Sequence, residues 1–503
     1  MNKLSLLKYI SFGQRVAEDE LNELAKYFVE TDQWNRMING EIDIVRGDKG
    51  AGKSAIYSLL TMKEAELFDS NTLLVPGEKP RGTPAFKDII ANPPTAEAEF
   101  IGLWKLYILA LVGRKMREWE VKGPAADKVY AALESARLLD REYDLAGLLR
   151  VAQDLARRLF KAESLEGGLS IDPATGKPDI TGKITFREPS TALSDLGFLT
   201  VDRLIAYADR ALKNANLNIW LLLDRLDVAF AETHDLEKNA LRALFRVYRD
   251  LAEYDAIKLK IFLRSDIWAR ITEGGFREAS HITKFTVIEW NQASLLNLII
   301  RRLISNDSLV DAMNIDRELI LNNFSQQRDL FYRVFPGQVE QGSRKPSTLD
   351  WIISRCADGF SKTAPRELIH LLASLRDKEI IRLERGEPQA PGEQLFDRSV
   401  FKEALPIVSE TRYHQNLLAE YPDLKPYLEK LNGEKTEQTV VSLAELWGVR
   451  PEEASARALR LVDIGFFQPR RAKDDQTFWV PFLFRDALSM SQGLADAPEG
   501  SDD

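Results

Sequence analysis

Residues 47–54 read Gly47-Asp48-Lys49-Gly50-Ala51-Gly52-Lys53-Ser54. The run matches the phosphate-binding pattern G-x-x-x-x-G-K-[ST] at every fixed position. In this pattern the glycines let backbone N–H groups turn inward around phosphate oxygens, and the helix that follows adds its positive end. We therefore expect Lys53 to reach the β- and γ-phosphates of a nucleotide and Ser54 to ligate Mg²⁺.

The sequence on either side of the loop supports this interpretation. Residues 41–46 have the apolar pattern of a buried strand that stops at Gly47, and residues 54–68 have the spacing of a helix. A chance glycine loop is the alternative, but a strand before and a helix after are the context that a phosphate loop requires. We predict ATP as the nucleotide; the lack of a guanine-reading N-K-x-D tetrad favours ATP over GTP only mildly.

Further apolar runs predict a P-loop NTPase domain over residues 1–290, with an α/β fold and a parallel sheet. They lie at 71–75, 219–223, 257–263 and 282–288. Helical spacing separates them, as in a parallel sheet covered on both faces. An insertion over about 78–200 interrupts the series. It has helical spacing over 97–160 and the pattern of a β-hairpin over 167–186.

Two carboxylates follow the run Trp220–Leu223. Asp224 is the candidate for the second Mg²⁺ ligand, since a P-loop needs an acidic group at the end of a neighbouring strand. A strand-capping aspartate is the alternative. Asp227 either polarises the attacking water or pairs with Arg225.

Two arginines are candidates for contacts with the γ-phosphate. Arg264 ends another apolar strand, where side chains line the ligand crevice of a parallel sheet. The alternative is a surface arginine that pairs with Asp266. Arg366 follows Pro365 at the start of a predicted lid helix, and its guanidinium suits phosphate. A plain helix-start arginine is the alternative for Arg366.

The rest of the chain is predicted to be mainly helical, with a small domain near its end. We expect a helical lid at 291–390, a helical linker at 391–435, a winged-helix domain at 436–491 and a disordered acidic tail at 492–503. The winged helix is predicted from a capping box at Ser442–Glu445, a second helix from Pro451 and a hairpin with a charged tip. Its arginines could bind DNA, but acidic residues dilute their charge, so a protein-docking or autoinhibitory module is the alternative.

Composition narrows the class of protein. The single cysteine, Cys356, excludes an internal disulfide framework and predicts a reducing, cytoplasmic location. No apolar stretch is long enough to span a bilayer, so no membrane association is expected. The net charge of −9 argues against indiscriminate nucleic-acid coating. The four histidines are scattered without ligand spacing, so we expect no zinc site.

The order of these elements resembles the ATPases of the AAA+ and STAND groups, especially their Orc/Cdc6-like and KAP-like branches. The segments GDKGAGKSA, LLLDRLD, IFLRSDIW and TAPRELIHLL look still more like a group of uncharacterised bacterial P-loop ATPases. The resemblance covers roughly residues 12–488 and implies an ATPase with a sensor strand, an arginine-bearing lid and a winged helix. Many P-loop ATPases place a glutamate after the metal aspartate; Arg225 stands there, which leaves turnover open. The long insertion leaves ring assembly open.

The leading hypothesis is an ATP hydrolase that acts as a nucleotide-driven switch or motor. By analogy with the resembled families, it would work with a protein partner in DNA transactions or antiviral defence. The alternative is a non-hydrolysing scaffold that holds ATP and forms a homo-oligomer on a trigger, which Arg225 favours. A P-loop kinase is a weaker third hypothesis, because kinases of that type are usually smaller and rarely carry a winged helix.

Overall fold

A computed structural model describes residues 2–14, 20, 23–29, 32–78, 94, 96–140, 142–164, 183–226, 234–471 and 476–495. The chain divides into two compact units. The sheet unit is Glu30–Ile288, and the helical unit combines Met1–Val29 with Glu289–Asp503. Each unit has a hydrophobic core of its own, as expected of a chain of this length.

The strands among these residues belong to three sheets. In chain order they are β1 Ile44–Gly47, β2 Thr72–Pro76, β3 Ile184–Thr185, β4 Leu199–Thr200, β5 Asn218–Leu223, β6 Ile257–Arg264, β7 Phe285–Ile288, β8 Lys435–Thr439, β9 Gln468–Arg471, β10 Gln476–Trp479 and β11 Ser491–Leu494.

The α-helices run through both units. In chain order they are α1 Lys3–Tyr9, α2 Leu24–Tyr27, α3 Asp32–Ile38, α4 Lys53–Met62, α5 Glu64–Asp69, α6 Glu97–Glu118, α7 Pro124–Ser135, α8 Leu145–Ser164, α9 Thr191–Asp195, α10 Val201–Asn214, α11 His234–Leu251, α12 Ser265–Thr272, α13 Gln292–Ile304, α14 Asp307–Met313, α15 Arg317–Leu321, α16 Phe324–Val334, α17 Thr348–Arg355, α18 Pro365–Glu384, α19 Ser399–Glu410, α20 Leu418–Glu420, α21 Lys425–Glu429, α22 Val440–Trp447, α23 Pro451–Asp463 and α24 Phe482–Arg485.

The sheet unit is built on five parallel strands in the order β2-β5-β6-β1-β7. The predicted parallel-sheet α/β core is confirmed. The strands are apolar because helices cover both faces; β5, for example, buries every residue from Ile219 to Leu223. Since all five strands run the same way, their carboxyl ends meet at one edge, and the loop after β1 lies there.

A buried ion pair lies near the opposite edge of this sheet. Nζ of Lys260, in β6, lies 2.9 Å from Oδ1 of Asp43 and donates to the carbonyl of Ile42 at 2.6 Å. It also lies 4.2 Å from the centroid of the Trp220 ring. The hydroxyl of Tyr248 donates to Oδ2 of Asp43 at 3.1 Å. These contacts compensate for the burial of two charges, which would otherwise be costly.

The described part of the insertion between β2 and β5 is mainly helical, with the short strands β3 and β4, and it shares the core of the sheet unit. Helix α6 packs against α8, α10 and α11, and Nε1 of Trp104 donates to the carbonyl of Ala240 in α11 at 2.9 Å. Most of the predicted hairpin at 167–186 lies outside the described residues. At its described end, β3 pairs in parallel with β4.

Residues 1–29 belong with the helical unit, whereas the predicted first domain ran over 1–290. Arg302, in α13, makes two hydrogen bonds of 2.9 Å to the carboxylate of Glu20, and both side chains are buried. Nζ of Lys3 donates to three backbone carbonyls between Ala390 and Gln394. The amino-terminal segment is therefore held by residues about 280 to 390 positions later.

The last part of the helical unit contains a sheet in the order β11-β8-β10-β9, with α22 and α23 between β8 and β9. The capping box before α22 is made by Thr439 and Ser442, three residues earlier than the one predicted, because the helix begins at Val440. The predicted disordered tail also begins too early. Gln492–Leu494 extend β11, which pairs with β8, and residues 496–503 lie outside the described residues.

Candidate nucleotide site

The backbone of the P-loop has the conformation that its glycines predict. Gly50 and Gly52 have φ angles of +82° and +103°, a region that side chains with a Cβ rarely adopt. A Cβ added at Gly52 would meet no atom within 4 Å, so the space beside it is open. At Gly47, a Cβ would lie 3.3 Å from the Cβ atoms of Ala51 and Ile288. The loop therefore needs glycine for backbone freedom at Gly52 and for close packing at Gly47.

Helix α4 begins at Lys53, directly after this loop. Its N-cap residue, Gly52, has no side chain with which to cap the first turn, so the N–H groups at the positive end of the helix face the loop. Nζ of Lys53 donates to the carbonyls of Gly47 and Asp48, both at 2.9 Å. The ammonium group thus lies against the loop in which a phosphate would bind.

Ser54 and Asp224 are brought into direct contact. The hydroxyl of Ser54 donates to Oδ2 of Asp224 at 3.0 Å, across 170 residues of sequence. Asp224 directly follows β5 and is only 6% exposed. A serine hydroxyl and an aspartate carboxylate are both oxygen ligands of the kind that Mg²⁺ prefers.

The residue after Asp224 has an unusual backbone. Arg225 has a φ of +56°, in the left-handed region that costs a residue with a side chain about 1–3 kcal/mol. The next residue, Leu226, is buried in the core of the sheet unit. Asp227, the predicted partner of the attacking water, lies outside the described residues.

Arg264 lies at the same edge of the sheet as the P-loop. It ends β6 and is the register partner of Gly47 in β1. Its Nε and Nη2 donate to the two carboxylate oxygens of Asp266 at 3.0 and 2.7 Å, and its side chain is only 13% exposed. Although burial acts in the other direction, Arg264 and Arg270 hold the pKa of Asp266 below its usual range. The predicted alternative, a pair with Asp266, is therefore present, but it is not a pair at the protein surface.

Arg366 belongs to the helical unit and not to the sheet unit. It lies in the first turn of α18, after Pro365 at the first helical position. Its Nε is buried without a hydrogen-bond partner among the described residues. Its role toward the nucleotide stays a prediction.

The sequence patterns missed an acidic residue beside the site, Glu78. It lies two residues after β2 and is 1% exposed. The hydroxyl of Tyr57, in α4, donates to the backbone carbonyl of Glu78. A signal was present in the sequence, because an acidic residue after a predicted strand of a parallel sheet falls at the carboxyl edge.

Two further features, a cluster of metal-binding side chains and a membrane-spanning helix, are absent from the described part of the chain. It contains no group of three or more histidine, cysteine, aspartate or glutamate side chains that could hold a metal ion. No helix among the same residues has the length and the apolar composition needed to cross a bilayer.

Comparisons with known proteins give little further information. No family model matches this chain, and no curated protein matches it. A solved structure of the Aeropyrum pernix ORC2 protein, in ADPNP–ADP complexes, is similar over 91% of each chain, with 10% identity and a TM-score of 0.29. A TM-score of this size carries no inference about the fold or the activity of this chain.

Proposed function

We propose that this protein binds ATP with Mg²⁺ at the carboxyl edge of its parallel sheet and hydrolyses it. The nucleotide state would then control the helical unit, so that the protein acts as a switch or motor. The observation that carries the proposal is the 3.0 Å hydrogen bond between Ser54 and Asp224. It joins the end of the P-loop to the acidic residue after another strand. A hydroxyl and a carboxylate in these two places are the oxygen ligands that a P-loop ATPase supplies to Mg²⁺.

The residues at this edge fit the nucleotide and the metal. Open space beside Gly52 and the uncapped start of α4 suit a phosphate chain, since backbone N–H groups there face a negative ligand. Lys53 would exchange its two carbonyl partners in the loop for phosphate oxygens. Mg²⁺, when bound, would neutralise charge on the β- and γ-phosphates. Ser54 and Asp224 would hold it from two elements that the core keeps rigid.

Arg264 has a defined place in this proposal. Its guanidinium is held by Asp266 in a bidentate pair, so its position does not depend on the ligand. An arginine fixed in this way at the end of β6 would contact the γ-phosphate without losing side-chain entropy on binding. Arg366 would bind the same nucleotide from the first turn of α18. Asp227 would orient the attacking water.

A partner protein suits the small carboxy-terminal domain better than DNA does. The arginines of α23 are already paired: Arg457 donates to Glu453 and stacks on Tyr427, and Arg460 lies 2.6 Å from Asp423. We propose that this winged-helix-like domain docks a protein, in the cytoplasm, and that nucleotide controls whether the complex or a homo-oligomer forms.

A non-hydrolysing scaffold is the second candidate function, and one observation favours it. Arg225, in its left-handed conformation, stands where many P-loop ATPases have the glutamate that activates water. ATP would then be a structural ligand that stays bound until a trigger arrives.

Steady-state hydrolysis of ATP separates the two candidates. The wild type should release phosphate in the presence of Mg²⁺, and Lys53→Ala and Asp224→Asn should each abolish turnover. Tight binding of ATP without any turnover in the wild type would reject the switch or motor and leave the scaffold. Failure of the wild type to bind ATP at all would reject both.

A further inference from the structure

Glu78 lies beside Asp224 because of the register between β2 and β5. The last pair of that register is Pro76 with Leu222, and the N–H of Gly77 continues it by donating to the carbonyl of Leu222 at 2.8 Å. Two further steps along both strands bring Glu78 opposite Asp224. The two acidic residues therefore occupy neighbouring positions at the edge where the P-loop lies.

The backbone at Glu78 is held by contacts on three sides. Tyr57, one helical turn after Lys53 in α4, donates its hydroxyl to the carbonyl of Glu78. Tyr107, in α6, donates its hydroxyl to the carbonyl of Gly77 at 2.9 Å. A Cβ at Gly77 would lie 2.6 Å from Cδ2 of Leu223, so only glycine permits this close approach of β2 to β5. A position fixed by the phosphate-loop helix and by the neighbouring strand is suited to catalysis.

Tyr57 is a common neighbour of Glu78 and Asp224. Burial raises the pKa of the Tyr57 hydroxyl well above its usual value, and the negative charges of Asp224 and Glu78 raise it further. Both carboxylates thus act on one phenol. At 1% exposed, Glu78 is shielded from bulk water, as few acidic side chains are.

We propose that Glu78 is the general base of the ATP hydrolysis proposed above, on which this inference rests. The oxygen of a water molecule attacks the γ-phosphorus of ATP, and the bond from that phosphorus to the β,γ-bridging oxygen breaks. ADP leaves with the electron pair of that bond. The proton of the water passes to the carboxylate of Glu78 and from there to solvent. Many P-loop ATPases have a catalytic glutamate at the position that Arg225 occupies here. Glu78, two residues after β2, would supply that carboxylate instead.

Glu78→Gln keeps the size of the side chain and removes its basicity, so it tests this role directly. Turnover should fall by about 10²–10⁴-fold, the range for loss of a general base. The dissociation constant of a non-hydrolysable ATP analogue should change by less than about threefold, as expected when an interaction made only in the transition state is lost. Nucleotide extracted from the purified variant should be ATP, whereas the wild type should yield ADP. The matched control is Glu66→Gln on exposed α5, which should match the wild type in every measurement.

Glu78→Asp provides a second test in case the glutamine variant does not fold. It keeps the charge and withdraws the carboxylate by one carbon–carbon bond, a displacement that costs on the order of 10²-fold in rate. Wild-type turnover in either variant would overturn the proposal, and so would loss of analogue binding, which would make Glu78 a structural residue. If the wild type hydrolyses ATP and Glu78→Gln does so equally fast, only the role of Glu78 fails. If the wild type shows no turnover, or only turnover that persists in Lys53→Ala, both the proposed hydrolysis and the role of Glu78 fail.

Discussion

The hydroxyl of Ser54 lies 3.0 Å from Oδ2 of Asp224, and the two residues come from different elements of the sheet unit, α4 and the end of β5. The strand before α4 is β1, and it is not a neighbour of β5 in the sheet, because β6 lies between them. The contact therefore spans the carboxyl edge of two strands and places a hydroxyl and a carboxylate where one cation could bind both.

Ser54→Ala should weaken binding of ATP only when Mg²⁺ is present. The substitution removes one metal ligand and one hydrogen bond to a carboxylate, so we expect the affinity for Mg·ATP to fall on the order of tenfold, or about 1.4 kcal/mol. Binding of ATP in excess chelator should stay within a factor of two. Titration calorimetry with and without Mg²⁺ makes the comparison. Ser70→Ala, at an exposed position after α5, is the control. An equal loss with and without Mg²⁺ would show that Ser54 serves the loop and not the metal.

Arg264→Ala should weaken the binding of ATP more than the binding of ADP. If the guanidinium contacts the γ-phosphate, its loss costs a charge-assisted hydrogen bond of about 1.5–3 kcal/mol with ATP and little with ADP. Competition binding with the two nucleotides gives the ratio directly. Asp266→Ala is the matched partner variant, because it removes the carboxylate that holds Arg264 but keeps the guanidinium, and it should change the ratio much less. Equal weakening of ATP and ADP by Arg264→Ala would assign Arg264 to the structure of β6 alone.

The P-loop and the core strands could be predicted because their signals are local. Residues 47–54 carry their own pattern, and a run such as Trp220–Leu223 shows a buried strand without any other part of the chain. The approach of Ser54 to Asp224 also followed from one rule, that parallel strands present their carboxyl ends at a common edge. Boundaries were less accurate: the helix predicted at 54–68 is divided into α4 and α5.

Features that depend on sheet order and on distant partners could not be predicted. Glu78 lies opposite Asp224 only because β2 pairs with β5, and no residue near Glu78 indicates that pairing. The ion pair of Arg302 with Glu20 joins positions 282 apart and helps to hold the amino-terminal segment in the helical unit. Such contacts are properties of the folded chain, since each partner alone has an unremarkable local sequence.

Duplex DNA should neither bind α23 nor stimulate turnover. The arginines at 457 and 460 are neutralised within the chain, and Glu452 and Glu453 are exposed in the first turn of the helix. We expect DNA to change the hydrolysis rate by less than about twofold at 0.15 M salt, since binding to phosphates requires uncompensated positive charge. Hydrolysis with and without a duplex, and fluorescence anisotropy at two salt concentrations, make the measurement. Salt-dependent DNA binding that Arg460→Glu weakens would contradict the assignment of this helix to protein docking.

Tyr248→Phe should destabilise the sheet unit at neutral pH, and this loss of stability should be smaller above pH 10. At neutral pH the variant loses a hydrogen bond to the buried carboxylate of Asp43, which is worth about 1.5–3 kcal/mol. Burial and the charge of Asp43 raise the pKa of Tyr248 above the usual tyrosine value of about 10. The unfolded chain therefore releases this proton near pH 10, while the folded protein still holds it. The contribution of Tyr248 to stability is complete below pH 10 and falls as the pH rises beyond it.

The melting temperatures of the wild type and of Tyr248→Phe, measured from pH 7 to pH 11, test this sign. The difference should be constant up to about pH 9 and should then narrow, because phenylalanine has no proton to release in the unfolded state. Tyr9→Phe, at a position that is 70% exposed, should leave the melting temperature unchanged over the whole range. A difference that widens above pH 10 would mean that the folded protein binds the phenolate. The hydrogen bond to Asp43 would then not be the interaction that holds Tyr248.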